Sequence, residues 1–265
     1  MAKRIQSASS IKIFKTCPRK YYYQYIQKLP TQPSIHLVRG NIAHKVLEDF
    51  FEININNLTK ENYNTILKER VQTLLIHYWK KSANLLSVLN LSDNSKIKYF
   101  EETMIMLLKW VDDFCHKLEK HAGTIQESFK KLTPLRELHY KSIILSVQGF
   151  IDAIEHVNNE IRLMDYKTSS TFDMEEHKLQ LAIYTALYQE KHNVLPDKVG
   201  IYYLKMGERW IDCDQSLVEL AKKEVMEIHS KTESDHINDY PKKTSPLCKW
   251  STGCCDFYDT CKPFG

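Results

Sequence analysis

The stretch GFIDAIEHVNNEIRLMDYKTSS, residues 149–170, decides the fold: two runs rich in apolar residues flank the turn VNNE, and each run carries one aspartate. A side-chain period near two marks both as strands, over residues 150–156 and 161–167. Asparagine tolerates the positive φ that a two-residue hairpin loop needs, so Asn158 and Asn159 are read as the loop. Val157 then opposes Glu160, and counting outward sets Asp152 opposite Asp165. Directly opposed residues have Cβ atoms about 5 Å apart, and like charges there destabilise a sheet. At about 5 Å and an effective dielectric of about 20 the repulsion is about 3 kcal/mol. Something positive must offset it.

A divalent cation between the carboxylates would do so, and oxygen ligation suits magnesium or manganese. Lys167 lies two residues after Asp165 and projects from the same face of the strand. A metal acidifies a held water, and a nearby lysine can orient that water or take its proton, which is the chemistry of phosphodiester hydrolysis. The plainer alternative is a polar strand end in which Lys167 simply neutralises Asp165.

Working outward, another strand is expected over 138–147, a helix over 174–191 burying Leu179, Ala182, Ile183, Ala186 and Leu187, and strands over 199–204 and 209–213 joined by the glycine-bearing turn KMGE. Asp173, Glu175 and Glu176 cap the first of these helices, and a second helix spans 215–230. Upstream, the serine cluster of SASS offers an N-cap for a turn containing Ile11 and Phe14. Pro18 suits the first position of a further helix, with Cys17 at its N-terminus. In RGNIAHKVLEDFF, the residues Ala43, Val46, Leu47 and Phe50 form one core-facing stripe, with His44 one residue off it. Residues 59–121 contain no glycine or proline and read as helices interrupted by the polar loop NLSDNSK, with a stripe of Ile97, Phe100, Met104, Leu107, Val111, Phe114 and Leu118.

The whole chain of 265 residues, 43% apolar and 26% charged, has the composition of an ordinary globule. A net charge of +4 permits a polyanionic partner without demanding one. Its apolar runs are too short for a membrane span, and MAKRIQSASS lacks the apolar centre of a signal peptide, so a cytoplasmic location is expected. Of seven cysteines, Cys248, Cys254, Cys255 and Cys261 crowd into the last eighteen residues. An odd total without an export signal argues against a disulfide framework and for metal or cluster ligation. Thiolates hold zinc or an iron-sulfur cluster, and spacing alone rarely separates the two. Cys115 and Cys213 fit apolar core positions.

Gly149-Phe150-Ile151-Asp152 followed by Asp165-Tyr166-Lys167 resembles the two acidic motifs of the PD-(D/E)XK nuclease superfamily. The likeness extends to its RecB-like branch: His44 matches an upstream histidine, and Gln180 with Tyr184 in QLAIYTAL matches a Gln-x-x-x-Tyr motif. Cys17-Pro18 and the C-terminal cysteines look like the split iron-sulfur site of CRISPR-associated exonucleases and exonuclease V relatives. The resemblance implies that His44, Asp152, Asp165 and the Tyr166 carbonyl ligate Mg2+ or Mn2+, that Lys167 positions the attacking water, and that Gln180 and Tyr184 contact substrate. Glu137 occupies a place where some relatives carry an acidic residue near the metal; a plain surface charge is the other reading. Cys17, Cys248, Cys255 and Cys261 would hold a structural [4Fe-4S] cluster. Here the chain departs from the family spacing at the Cys254-Cys255 doublet, and Cys255 is taken as the ligand because its spacing to Cys261 keeps the family value.

The fold expected is α/β, a restriction-endonuclease-like mixed sheet flanked by helices. It would form one domain over 1–265: N-terminal helices to residue 58, a helical insertion over 59–133, the catalytic sheet and helix over 134–214, and a C-terminal helix with the cluster-binding tail over 215–265. The expected activity is a metal-dependent exonuclease on single-stranded or frayed DNA ends. Any unwinding would come from a helicase or CRISPR adaptation partner, since no phosphate-binding loop motif is present. Two other readings are a non-cleaving nucleic-acid-binding subunit and a catalytic zinc enzyme, the latter disfavoured because four thiolates leave zinc no open position. In CPRKYYYQY, Arg19 and Lys20 could meet phosphate while a tyrosine stacks on a base, or the tyrosines could simply pack on a neighbouring helix.

Overall fold

The computed structural model describes residues 4–169, 171, 173–251 and 253–263; the outermost residues of the N-terminal segment and of the tail, with Ser170, Phe172 and Thr252, lie outside these. The strands β1 (Leu135–Ser142), β2 (Val147–Val157), β3 (Glu160–Lys167), β4 (Lys198–Tyr203) and β5 (Gly207–Asp212) form one sheet in that order. Neighbours are antiparallel except β3 and β4, which run parallel. Helices in chain order are α1 (Ala8–Thr16), α2 (Pro18–Tyr21), α3 (Ile35–Phe50), α4 (Tyr63–Lys81), α5 (Ala83–Ser87), α6 (Asp93–Lys120), α7 (Ile125–Leu132), α8 (Met174–His192), α9 (Gln215–Lys231) and α10 (Tyr258–Cys261). A parallel pair requires a crossover, and α8 supplies it between β3 and β4. The architecture is the mixed α/β arrangement expected, with C-terminal cysteines present.

Both faces of the sheet are covered, so each builds its own apolar layer. On one face, Phe50 of α3, Trp110 and Phe114 of α6 and Phe129 of α7 pack with Ala153, Met164 and Tyr166. On the other, Leu181, Ile183 and Leu187 of α8 and Val218 and Val225 of α9 pack with Ile151, Ile154, Leu163 and Ile201. The stripe Ala43, Val46, Leu47 and Phe50 of α3 is buried. Along α6 the stripe is buried from Leu107 through Val111 and Phe114 to Leu118, whereas Ile97 is exposed.

The hairpin register follows the count made from VNNE. Asn158 and Asn159 take φ of 53° and 65°, and pairs run from Val157↔Glu160 to Ala153↔Met164. Asp152 and Asp165 stand one step beyond the last of these pairs.

Two boundaries and one alternation differ from expectation. The strand expected over 138–147 joins parts of two: β1 begins at Leu135 and ends at Ser142, residues 143–146 turn, and β2 starts at Val147. Ile143 and Ile144 prolong the apolar run but are 82% and 84% exposed. The Leu145 N–H donates to Ser142 Oγ, and Ser146 adopts φ of 50°. Half of the loop NLSDNSK is helix, because Ser92 accepts from the Ser95 N–H and starts α6 at Asp93. The alternation of β2 also slips: Ile151 and Ile154 share one core, and Ala153 lies in the other. The slip falls at Asp152, and the β1–β2 pairing passes from Arg136↔Ala153 to Leu138↔Ile151, over Glu137 and Asp152. Glu137 takes a left-handed φ of 48°. Irregularities of this kind re-aim side chains beside sites.

Candidate active site

Three elements deliver the polar groups to one cleft. β2 brings Asp152, β3 brings Asp165 and Lys167, and α3 leans His44 across the sheet end. The cleft holds about 1070 Å³. His44, Glu137 and Asp152 offer ligand atoms all within 4.8 Å of one another, with Glu137 contributed from its left-handed position inside β1. Asp165 lies outside this trio of mutual distances.

Each carboxylate is held. Asp152 is 6% exposed and its Oδ2 accepts the Tyr166 N–H at 2.7 Å. His44 Nε2 sits 3.0 Å from the Tyr166 carbonyl, which turns Nδ1 toward Asp152 at 3.4 Å and Glu137 at 3.8 Å. Asp165 is 2% exposed; its Oδ1 accepts from the Gln180 amide at 2.7 Å and from the Tyr184 hydroxyl at 3.3 Å. The Gln180 amide also donates to the Tyr184 hydroxyl at 2.7 Å, closing a small network along one turn of α8.

Burial and the neighbouring Asp165 charge push the Asp152 carboxyl up to about 6. Burial works against the charge of His44, yet its contacts with Asp152 and Glu137 hold it up at about 10, so imidazolium supplies positive charge to the carboxylates. Burial likewise opposes the Lys167 ammonium, and Asp165 overcomes this and holds its pKa above the usual lysine value. Lys167 Nζ pairs with Asp165 Oδ2 at 2.6 Å, and no hydrogen-bond partner is found for that buried oxygen beside this ion pair. An ion pair alone leaves acceptor capacity on Oδ2.

This donor set fits a hard divalent cation: carboxylate oxygens, a backbone carbonyl, a buried carboxylate oxygen with no hydrogen bond, and one imidazole nitrogen once an incoming ion replaces the His44 proton. The plainer reading of the sequence, Lys167 neutralising Asp165, describes one contact and leaves the clustering of His44, Glu137 and Asp152 unexplained.

Two positions were only partly legible in the sequence. Glu137 was open between a place near the metal and a plain surface charge, and its left-handed backbone inside a strand brings it to His44 and Asp152. Gly149 was visible only as part of a motif; a Cβ there would stand 3.0 Å from Tyr184 Cε1, so the glycine lets Tyr184 close on Asp165.

The cysteine tail forms a second cavity, of about 570 Å³, lined by Cys17, Cys248, Cys254, Cys255 and Cys261. Burial pushes the Cys255 and Cys261 thiols up, and the nearby Cys17 sulfur adds to the effect. No three cysteine sulfurs come within 4.8 Å of one another among the described residues. Both members of the doublet face the cavity. Cys115 is buried and Cys213 half-buried, each away from this group.

The chain's N- and C-terminal segments meet around this cavity. The Arg19 Nε–H donates to the Tyr240 carbonyl at 2.7 Å, and Lys20 pairs with Asp256 at 2.8 Å. Tyr21, Tyr22 and Tyr23 are buried, with Tyr21 and Tyr22 against Tyr240 and Tyr23 against Phe257. The packing reading of CPRKYYYQY therefore describes Tyr21, Tyr22 and Tyr23, which pack the tail onto the N-terminal helices.

Among described residues no helix is long and apolar enough to cross a membrane. The model of the PD-(D/E)XK nuclease superfamily matches residues 6–262. Among solved structures, a candidate exonuclease of Eubacterium rectale is similar, at 11% identity, with 94% of this chain and 86% of that one covered and a TM-score of 0.51; at such identity the likeness is one of fold. SSO0001 is 19% identical over 82% of this chain and 94% of its own, at a TM-score of 0.31. No curated protein sequence matches.

Proposed function

Because the chain belongs to the PD-(D/E)XK nuclease superfamily, a group of phosphodiester-hydrolysing enzymes, we propose that it is a Mg2+- or Mn2+-dependent deoxyribonuclease acting as an exonuclease on single-stranded or frayed DNA ends. The observation that carries this reading is the pairing of the unbonded, buried Asp165 Oδ2 with Lys167 beside the His44, Glu137 and Asp152 cluster. His44, Asp152, Asp165 and the Tyr166 carbonyl would hold the ion, with Glu137 within reach. When bound, the ion would supply Lewis acidity at the scissile phosphate and lower the pKa of water.

The chain's own groups do the remaining work. Lys167, held beside Asp165, would orient a water for attack on phosphorus and stabilise the charge that develops. Gln180 and Tyr184 fix the rotamer of Asp165 from α8, a positioning role beside any contact they make with a DNA strand. Burial of Asp152 and Asp165 keeps the surrounding field strong by excluding water.

For the tail we infer a [4Fe-4S] cluster held by Cys17, Cys248, Cys255 and Cys261, with a structural task. A single zinc, with Zn–S bonds of about 2.3 Å, would draw its sulfurs close together, whereas the thiols here line a roomy cavity. A cluster on Cys17 and the tail would tie segments more than two hundred residues apart. Partners in this reading are a helicase or CRISPR adaptation proteins, in the cytoplasm.

The test is cleavage of end-labelled single- and double-stranded DNA by anaerobically purified protein with manganese or magnesium, beside Asp165→Ala. Metal-dependent cutting lost in the variant supports the nuclease and gives its polarity. An intact protein that binds DNA but never cuts would replace this reading with a non-cleaving subunit.

A further inference from the structure

Phe150 stands two residues before Asp152 and lines the same cleft as Asp165 and Lys167, yet it is 54% exposed. A large apolar ring in that position loses the burial that usually stabilises phenylalanine. The ring is not loose. Its cross-strand partner is His139, and the two rings stack with centroids 4.6 Å apart and planes 20° from parallel. His139 Nε2 lies 3.3 Å from Gln148 Oε1, which fixes the imidazole from the neighbouring position on β2. Tyr184 also lines the cleft but is 5% exposed and turned onto Asp165. Among the described residues of the cleft, Phe150 is thus the aromatic carbocycle left open to solvent.

We propose that Phe150, backed by His139, is a stacking platform for a nucleobase of a single DNA strand whose adjacent phosphate lies at the Asp152 and Asp165 carboxylates. This rests on the nuclease reading above and adds a substrate-selecting residue to it. Every base has a π-face, so a platform of this kind binds single strands with little regard to sequence. In a duplex the base faces are already stacked on their neighbours; the platform therefore favours an unpaired end. Because the ring is preset by His139, little side-chain ordering remains to be done on binding.

The test measures binding, not cutting. Fluorescence anisotropy in calcium, an oxygen-ligated divalent ion that can stand between the phosphate and the carboxylates, would compare a labelled oligothymidylate with an oligonucleotide of equal length built of abasic sites. Wild type should prefer the base-bearing strand by about tenfold, the scale of one base–aromatic stack. Phe150→Ala should lose that preference, and Phe150→Trp should keep or enlarge it while binding the abasic strand as wild type does. Equal binding of both strands by wild type, or an undiminished preference in Phe150→Ala, would overturn the proposal. Since no cleavage is read, a protein that binds in this way but never cuts would sink the nuclease reading and leave the platform standing.

Discussion

The carboxylate cleft and the cysteine cavity are built by opposite means. Asp152 and Asp165 sit on strands of a five-stranded sheet, with helices packed on both faces and each carboxylate hydrogen-bonded to a neighbour. The tail has strands of two residues, β6 (Lys249–Trp250) and β7 (Gly253–Cys254), and the four-residue helix α10. Its sulfurs line a space instead of touching one another. Elements so short cannot hold themselves together, since a nucleus of helix or an isolated hairpin is unfavourable in water. The first site is preset by packing; the second leans on the aromatic cluster around Tyr240 and, in the reading proposed above, would lean on a bound cluster.

The contrast breaks first at the carboxylates. Asp152→Ala or Lys167→Ala should lower the cleavage rate by about a thousandfold, the order reached when a principal electrostatic group leaves a catalytic site. Single-turnover assays measure this, and either variant retaining near wild-type cutting would undo the assignment. A change of similar size in structure, though not in chemistry, is expected at the other region. Cys17→Ser should lose bound iron and lower the Tm by roughly 5 °C, as the loss of about 2 kcal/mol would. Limited proteolysis should then nick the tail first. A variant that keeps its iron and its protease resistance removes Cys17 from the ligand set.

Smaller effects sharpen the difference. In Gly149→Ala the new methyl would meet Tyr184 at 3.0 Å. We expect kcat to fall by about tenfold with KM little changed, a small misplacement of Asp165 being enough for that. Gln180→Ala removes the donor at 2.7 Å and should cost somewhat less, because the Tyr184 hydroxyl remains. A chelator that strips divalent ions should leave the circular dichroism spectrum unchanged, since the sheet holds the cleft. Smallest of all, Ile144→Ser in the exposed β1–β2 turn should move stability by no more than about 0.5 kcal/mol.

What could be read from the chain follows the reach of local chemistry. The hairpin register was legible because two asparagines in VNNE set the loop and a period of two sets the faces. The serine cluster and Asp173 announced their helices through capping chemistry, with Ser7 and Asp173 the caps in the structure, and Pro18 stands at the start of α2 as expected. The end of β1 was not legible, because Ile143 and Ile144 look like strand and only the Ser142 side chain, by accepting the Leu145 N–H, favours the turn. Nor was the left-handed backbone of Glu137, which stands across from the slip at Asp152 and would have decided between its two readings. Gly149 needed α8 in position before its missing Cβ meant anything.

The two cavities share a wall: Thr16, Lys243, Ser245 and Leu247 line both. Three of these residues follow the carboxylate strands by more than seventy positions. On the ribosome, where chains emerge N-terminus first, Asp152, Asp165 and Lys167 are therefore made long before one side of their cleft exists. A nascent chain carries these side chains before the closed groove exists, and the groove is complete only once residues 243–247 have emerged.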